Sequence, residues 1–287
     1  PVFHDDQHGT AIVVGAGVLN ALKVSGKKMD EVKLVTSGAG AAALACLGLL
    51  VKLGIPRENI WVTDLAGVVY QGRTELMDDD KIVYAQPTEH RTLADVIAGA
   101  DIFLGLSAAG VLKPAMVATM NANPVIFALA NPTPEILPEE VHAVRSDAIV
   151  ATGRTDYPNQ INNVLCFPYI FRGALDSGAT TITVEMEIAA VHAIAELAQA
   201  EQSEVVTAAY AGATLSFGTE YLIPKPFDPR LMMRIAPAVA QAAADSGVAA
   251  RPIVDMEAYR AKLQTFVYAS GTTMRPIFTL AKAALKK

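Results

Sequence analysis

The stretch KLVTSGAGAAA, residues 33–43, decides the fold class. It begins as a short apolar β-branched run, passes through Gly38-x-Gly40-x-x-Ala43, and continues into an Ala/Leu-rich segment. That segment predicts a helix over Ala41–Leu53, because Gly54 is a typical residue at a helix C-terminus. A strand, a glycine turn and a helix in this order are typical of a βα unit that binds an anion at the helix N-terminus.

Other short apolar runs alternate with helical patterns along the first 165 residues. The predicted strands are Lys33–Thr36, Ile60–Asp64, Ile102–Leu106, Val125–Ala130 and Ala148–Thr152. Each run is almost continuously apolar, as in a parallel strand covered on both faces. We therefore expect an α/β fold: a doubly wound, mainly parallel sheet of the Rossmann type.

Residues typical of helix starts lie between the predicted strands, and after residue 165 only helices are predicted. Thr92 to Asp95 resembles a capping box, and Pro114 and Pro138 suit first helical turns. After residue 165 the pattern predicts only helices, namely Val184–Gln199, Pro229–Asp245 and Met256–Ala269. We expect a Rossmann-type core over 1–165 and a mainly helical C-terminal extension over 166–287.

The composition excludes several classes of function. The chain has 287 residues, 52% of them hydrophobic, and a net charge of −6, which argues against a nucleic-acid or acidic-membrane partner. No apolar run is long enough to cross a membrane, and no secretory signal is evident. The two cysteines, Cys46 and Cys166, stand in apolar surroundings, so we expect free thiols and a cytoplasmic protein.

The glycine turn predicts a dinucleotide site. Gly38 permits the tight turn, Gly40 lets the backbone approach a pyrophosphate, and Ala43 allows close helix packing. Asp64 ends the next strand, where a carboxylate accepts hydrogen bonds from an adenosine ribose. Asp64 favours NAD, but Arg73 is near enough to keep NADP open. The alternative is an ordinary βα turn.

Polar residues also follow later predicted strands. Ser107 lies in LGLSAAG, where small residues suit a passing cofactor, and Asn131 lies in ALANPTPE. An amide at Asn131 could bridge a nicotinamide ribose and a substrate carboxylate, although an Asx turn is the alternative. The amide-rich loop GRTDYPNQINNV, residues 153–164, suggests a polar ligand or simply a solvated loop.

The first residues, PVFHDDQHGTA, combine two histidines with two adjacent aspartates. Carboxylates are the ligands of Mg²⁺ or Mn²⁺, and the histidines keep zinc open. A third interpretation is that Asp5, Asp6 and His8 only cap a helix that begins at Gly9-Thr10.

Taken together, PVFHDDQHGTA, SGAGAAA, ALANPTPE and GRTDYPNQINNVLCFP resemble the malic enzymes. The similarity extends to IPKPFDPRL and SGVAARPI, and it is strongest to the large bacterial form that carries a phosphotransacetylase-like domain. The resemblance identifies the chain as the dinucleotide-binding domain. On this resemblance, we do not expect the upstream malic domain or a phosphotransacetylase-like domain within these 287 residues.

The resemblance implies oxidative decarboxylation of malate to pyruvate and CO₂ with reduction of NAD or NADP, in a homo-oligomer. It assigns the divalent cation to Asp6 and assistance of a lysine base to Asp5, while His8 is expected to be structural. Asn131 and Asn163 match substrate-contacting asparagines, with Asn131 also near the nicotinamide. The pyrophosphate loop corresponds to Gly38, Ala39, Gly40, Ala41 and Ala42.

The family's lysine base, tyrosine acid and two further acidic metal ligands precede the HDD motif and are not in this chain. Neither Tyr157 nor Lys113 is expected to replace them. We therefore expect the isolated chain to bind dinucleotide without turning over malate. A non-catalytic dinucleotide-binding module is the main alternative; a metal hydrolase would leave the glycine turn unexplained.

Overall fold

The computed structural model describes residues 1–200 and 216–266. Within them lies one six-stranded sheet with the order β3-β2-β1-β4-β5-β6. Its strands are β1 (Leu34–Ser37), β2 (Ile60–Asp64), β3 (Gly67–Val68), β4 (Ile102–Gly105), β5 (Val125–Ala128) and β6 (Ile149–Thr152). All neighbours are parallel except the short β3, which is antiparallel to β2.

Helices connect and cover the strands. Their bounds are α1 (Thr10–Ser25), α2 (Ala41–Leu53), α3 (Asp79–Ile82), α4 (Leu93–Ile97), α5 (Pro114–Val117), α6 (Pro138–Val144), α7 (Phe167–Asp176), α8 (Val184–Gln199) and α9 (Arg230–Asp245). A further helical segment covers 256–266. Short helical turns occur at Asp5–Gly9, Arg57–Asn59 and Asn163–Leu165.

The doubly wound fold predicted from the sequence is confirmed, and all five predicted strands are present. Strands β1, β4, β5 and β6 are buried at every position, as their continuous apolar character requires. The predicted strands β4 and β5 extend one and two residues too far. Residues 106, 129 and 130 belong instead to the loops that follow these strands. Apolar character alone does not mark where pairing stops.

The helix predictions are equally close. Helices α2 and α8 have the predicted bounds, and α4 has the capping box, with Thr92 accepting from the Asp95 N–H and Asp95 reaching back to the Thr92 N–H. Pro229 is the N-cap of α9 rather than its first residue. The last predicted helix is observed over 256–266, and its residues 267–269 lie outside the described residues.

The main hydrophobic core joins the sheet to the helices that follow it. Leu34, Leu104 and Phe127 of the sheet belong to the same buried cluster as Val191 of α8 and Ile235 of α9. Both cysteines are buried and free, as predicted. Among the helices of the described ranges, none is long and apolar enough to cross a membrane.

The strand order reverses direction between β1 and β4, since the chain moves to one side of β1 through β2 and later returns to the other side. In open α/β sheets, ligands bind in the crevice beyond the carboxyl ends of the strands at this switch point. The turn after β1 and the loop after β4 therefore meet where a ligand is expected.

Candidate dinucleotide and metal site

The glycine turn after β1 is held against the loop after β4. Gly38 has φ +112°, and a Cβ there would lie 2.3 Å from the carbonyl oxygen of Leu106, so a side chain is excluded by both conformation and contact. The Gly38 N–H donates to the Thr63 carbonyl at 2.8 Å. The hydroxyl oxygens of Ser37 and Ser107 are 2.8 Å apart, which joins the ends of β1 and β4.

The N-terminus of α2 is left open. Its N-cap is Gly40, which provides no side-chain hydrogen bond, and a Cβ at Gly40 would meet nothing within 4 Å. An Asp, Ser or Asn in place of Gly40 would stabilise this helix end by about a few tenths of a kcal/mol, so the chain forgoes a cap where one would fit. The uncapped N–H groups and the open space fit a dinucleotide pyrophosphate.

The other loop positions match this picture. Ala39 is buried, Ala41 is exposed and Ala42 is half-buried, so the turn presents backbone rather than bulky side chains. Ala39 lies between β1 and α2, and Ala41 and Ala42 are the first two residues of α2.

The carboxylate of Asp64 ends β2, but its own chain already surrounds it. Arg73 forms a two-pronged ion pair with it, at 2.9 Å to Oδ1 and 2.5 Å to Oδ2. The Ala66 N–H donates to Oδ1 at 2.9 Å, and the Lys81 ammonium donates to Oδ2 at 3.2 Å. Because a carboxylate offers about four acceptor positions, a ribose hydroxyl would have to displace one of these donors.

Arg73 is itself committed to the protein. It is 7% exposed, and its Nη1 also donates to the carbonyls of Gly67 and Val68. The sequence indicated Arg73 as a residue near Asp64 but missed Lys81, which lies 17 positions away and reaches Asp64 only through the tertiary structure. No short-range pattern would have found it.

The aspartates of the N-terminal turn differ in their surroundings. Asp5 and Asp6 lie in a π-helical turn, Asp5–Gly9, that runs into α1. The helix-cap interpretation is wrong, because Asp5, Asp6 and His8 lie inside the turn and no side-chain cap hydrogen bond is present at its start or at the start of α1. Oδ1 of Asp5 is buried beside Gly9 with no hydrogen-bond partner among the described residues.

Asp6 is exposed and meets Asn163, which is 157 positions away in the chain. Nδ2 of Asn163 lies 3.4 Å from Oδ1 of Asp6. The tertiary structure thus brings together the residues assigned to cation and substrate. In residues 1–200 and 216–266, no group of three or more His, Cys, Asp or Glu side chains could hold a metal ion. An orphaned carboxylate oxygen beside an exposed carboxylate fits an oxygen-binding cation such as Mg²⁺ or Mn²⁺ as a partial ligand set.

His8 packs into the protein. Its ring contacts Phe3 edge-on at 5.3 Å, and Nδ1 lies 3.9 Å from Oε1 of Glu187. Burial raises the pKa of Glu187 to about 7 and lowers that of His8. This arrangement agrees with the structural role expected for His8.

Asn131 lies in the loop after β5, exposed, with no side-chain hydrogen bond to the described residues. The sequence alone did not indicate Glu135 in the same loop, which is fully buried and accepts from the backbone N–H groups of Ser107 and Ala130. A glutamate between prolines and apolar residues was the only available signal. Tyr157 contacts Glu139, so nothing here makes it a substitute acid.

Comparison with known proteins agrees with this geometry. The family model for the malic enzyme NAD-binding domain matches residues 7–209. The chain is 64% identical to the NAD-dependent malic enzyme of Rhizobium meliloti and 62% identical to the NADP-dependent malic enzyme of Haemophilus influenzae, over all of this chain in each case. It spans only 37% and 38% of the length of these curated relatives.

Solved structures give the same result. The malic enzyme of Pyrococcus horikoshii superposes with a TM-score of 0.83 at 39% identity, covering 96% of this chain and 62% of that one. The malic enzyme of Entamoeba histolytica also has a TM-score of 0.83, at 34% identity, covering 96% and 56% of the two chains. On this evidence, the chain belongs to the family of malic enzyme NAD-binding domains.

Proposed function

We propose that this chain supplies the dinucleotide site and part of the metal and substrate site for oxidative decarboxylation of malate to pyruvate and CO₂. The observation that carries this proposal is the open, uncapped start of α2 at the switch point of the sheet, in a family member. In this proposal residues 1–165 form the dinucleotide-binding core and 166–287 the extension. The protein acts in the cytoplasm as a homo-oligomer.

We assign each residue of the proposed site a role in binding the cofactor, the substrate or the metal ion. Gly38 to Ala42 hold the pyrophosphate through backbone N–H groups, and Ser107 flanks the cofactor. The Asn131 amide orients the nicotinamide ribose and the substrate carboxylate, and Asn163 contacts the substrate. Asp6 holds Mg²⁺ or Mn²⁺, and Asp5 assists a base from outside these residues.

A dinucleotide held by Gly38 to Ala42 would supply the hydride acceptor for C2 of malate, and a cation held by Asp6 would supply Lewis-acid polarisation of the oxygen on that carbon. The residues of this chain orient these groups and exclude water rather than react covalently. Orientation of this kind lowers the barrier because the reacting atoms are held in place before the step begins.

We propose that the site accepts NADP as well as NAD. Lys81 is the most readily displaced donor to Asp64, at 3.2 Å, and its ammonium has three N–H donors, of which two contact Asp64 and the Leu76 carbonyl. Nζ also lies 4.0 Å from Oδ2 of Asp78, a partner that a 2′-phosphate would replace. Asp64 therefore acts by holding cations at the ribose end, and it also accepts from a ribose hydroxyl if Lys81 moves.

The test is Gly40→Asp in the full-length protein. The side chain has room, φ at Gly40 is −85°, and aspartate is a good N-cap, so the fold should keep its stability. Its charge, however, would occupy the pyrophosphate position. We expect at least a tenfold weaker NADPH affinity, measured by fluorescence titration, with no loss in melting temperature.

Gly48→Asp is the matched control, because a Cβ at Gly48 also meets nothing within 4 Å, on the same helix. Equal NADPH affinity for Gly40→Asp and Gly48→Asp would contradict the proposed pyrophosphate site. Cofactor binding without metal-dependent pyruvate formation by the full-length parent protein would favour a non-catalytic module instead.

A further inference from the structure

The carboxylate of Glu135 joins two loops at the ligand edge of the sheet. Its Oε1 accepts from the Ser107 N–H at 2.8 Å and from the Ser107 hydroxyl at 3.4 Å, and its Oε2 accepts from the Ala130 N–H at 3.0 Å. Ser107 follows β4, and Ala130 follows the neighbouring strand β5. One side chain thus holds the ends of two adjacent strands in a defined relative position.

The main chain around Glu135 holds the same loop. The Leu112 N–H donates to the Glu135 carbonyl at 3.1 Å, and the Gly110 N–H donates to the Pro134 carbonyl at 3.1 Å. The loop after β4 is therefore attached to residues 134–135 at both of its ends. Any movement of this segment would displace the loop as a unit.

The neighbouring strand makes room for this carboxylate. A Cβ at Gly105 would lie 2.4 Å from Cδ of Glu135, so the last residue of β4 has to be glycine for Glu135 to lie there. Glu135 is fully buried, and no salt bridge to it is present in residues 1–200 and 216–266. Burying a carboxylate without a cation costs free energy that an apolar side chain would avoid.

Both loops carry residues assigned to the cofactor. Ser107 flanks it and also contacts Ser37 at the end of β1 with 2.8 Å between hydroxyl oxygens, while Asn131 directly follows Ala130. We propose that Glu135 is a positioning residue that sets Ser107 and Asn131 at the correct separation for the nicotinamide end of the cofactor. This inference rests on the proposed function, because the cofactor roles of Ser107 and Asn131 come from it.

The first test is Glu135→Gln in the full-length enzyme. Glutamine keeps the size but replaces one acceptor oxygen with an NH₂ group that faces a backbone N–H, so one loop must move. A displacement of about 1 Å at a reacting centre costs about 100-fold in rate. We expect kcat for malate oxidation to fall roughly 10- to 100-fold, by a larger factor than KM for malate rises.

A second readout reports the cofactor directly. The emission of bound NADPH depends on the surroundings of its nicotinamide ring, so Glu135→Gln should shift the emission towards that of the free cofactor. Loss of stability alone would lower the amount of folded enzyme without changing the spectrum of the bound fraction. Glu135→Asp, which keeps the charge but is one methylene shorter, should give an intermediate shift and serves if Glu135→Gln does not fold.

Glu257→Gln, on the exposed side of the 256–266 helix, is the control and should match the parent protein in kcat and emission. Parental kcat and parental emission in a folded position-135 variant would overturn the positioning role. If instead the parent fails to oxidise malate while emission still separates the variants, the positioning role stands and the proposed function fails.

Discussion

The carboxylates of Asp64 and Asp5 lie in opposite chemical situations. Asp64 has every acceptor position filled by its own chain, and hydrogen bonds from Arg73, Ala66 and Lys81 lower its pKa although burial alone would raise it. Asp5 has a buried oxygen with no hydrogen-bond partner among the described residues, and burial together with the charge of Asp6 raises its pKa.

This difference indicates what each region does. A buried polar atom without a partner is rare and costs about 1–3 kcal/mol, so the turn around Asp5 is incomplete without a group from outside the described residues. The end of β2 is complete by itself, because Arg73 and Lys81 are both paired with Asp64. The first region therefore needs a hydrogen-bond donor or a cation, whereas the proposed role of the second is to offer Lys81 to a 2′-phosphate.

The largest effect is expected in the N-terminal turn, Asp5–Gly9, where the test is Asp6→Ala. Lewis-acid activation contributes several kcal/mol, so loss of the proposed cation ligand should lower kcat for malate oxidation by about 1,000-fold. NADPH affinity should remain at the parental value, because the glycine turn does not involve Asp6. Initial rates over a Mn²⁺ series and a fluorescence titration measure the two effects.

Asp30→Ala, at an exposed position between α1 and β1, is the control and should keep parental rates. Full activity of Asp6→Ala at ordinary Mn²⁺ concentrations would remove the cation role from this turn. The orphaned oxygen of Asp5 would then need an explanation other than a nearby cation.

The region around Asp64, at the end of β2, is tested by Lys81→Ala. A charge-assisted hydrogen bond contributes about 1.5–3 kcal/mol, so kcat/KM for NADP should fall by a factor of about 10 to 100. kcat/KM for NAD should change little, because NAD has no 2′-phosphate. Steady-state kinetics with both cofactors measures the ratio.

Lys28→Ala serves as the matched control, since Lys28 is exposed and its one ion pair within residues 1–200 and 216–266 is with Glu31. An equal loss with NAD and NADP would mean that Lys81 only supports Asp64. In that case Asp64, rather than the cations around it, would be the contact to the ribose.

The smallest effect concerns Glu187, beside His8 of the N-terminal turn. Its pKa of about 7 exceeds the ordinary value of 4.5 because it is buried, with 16% of the side chain exposed. Between pH 4.5 and about 7 the folded state binds more protons than the unfolded state, so stability falls as pH rises through this window. The loss is complete above the folded pKa.

Glu187→Gln should remove this loss. Its free energy of unfolding, relative to that of the parent, should rise by about 2 kcal/mol between pH 5 and pH 8. Urea unfolding at several pH values measures the change, with Glu196→Gln, exposed on the same helix, as control. A parallel pH dependence in Glu187→Gln and the parent would show that Glu187 does not titrate in this window.

Much of the fold could be predicted because the deciding signals are local. The run before Gly38, the glycines and the Ala/Leu-rich helix lie within about twenty residues, and their order alone predicts a parallel strand followed by a ligand-facing turn. The bounds of α2 and α8 follow from capping residues and composition, which act over one helical turn. The strand ends were predicted less accurately, because they depend on hydrogen bonding to neighbouring strands.

The site was predictable only in part. The sequence indicated Asp5, Asp6, Asp64 and Asn131, since each follows or precedes a recognisable element. It could not reveal that Asn163 meets Asp6, or that Lys81 meets Asp64, because those contacts span 157 and 17 positions. Glu135 was missed for the same reason.

The sequence by itself determined the fold class, the place of the glycine turn and the family to which the motifs belong. Each depends on residue order within one βα unit or on short motifs. Only the tertiary structure decided which carboxylates are satisfied: Asp64 and Glu135 are held by donors from other strands and loops, whereas Asp5 is not. Hydrogen-bond satisfaction depends on where distant backbone and side-chain groups arrive after folding, which no local pattern encodes.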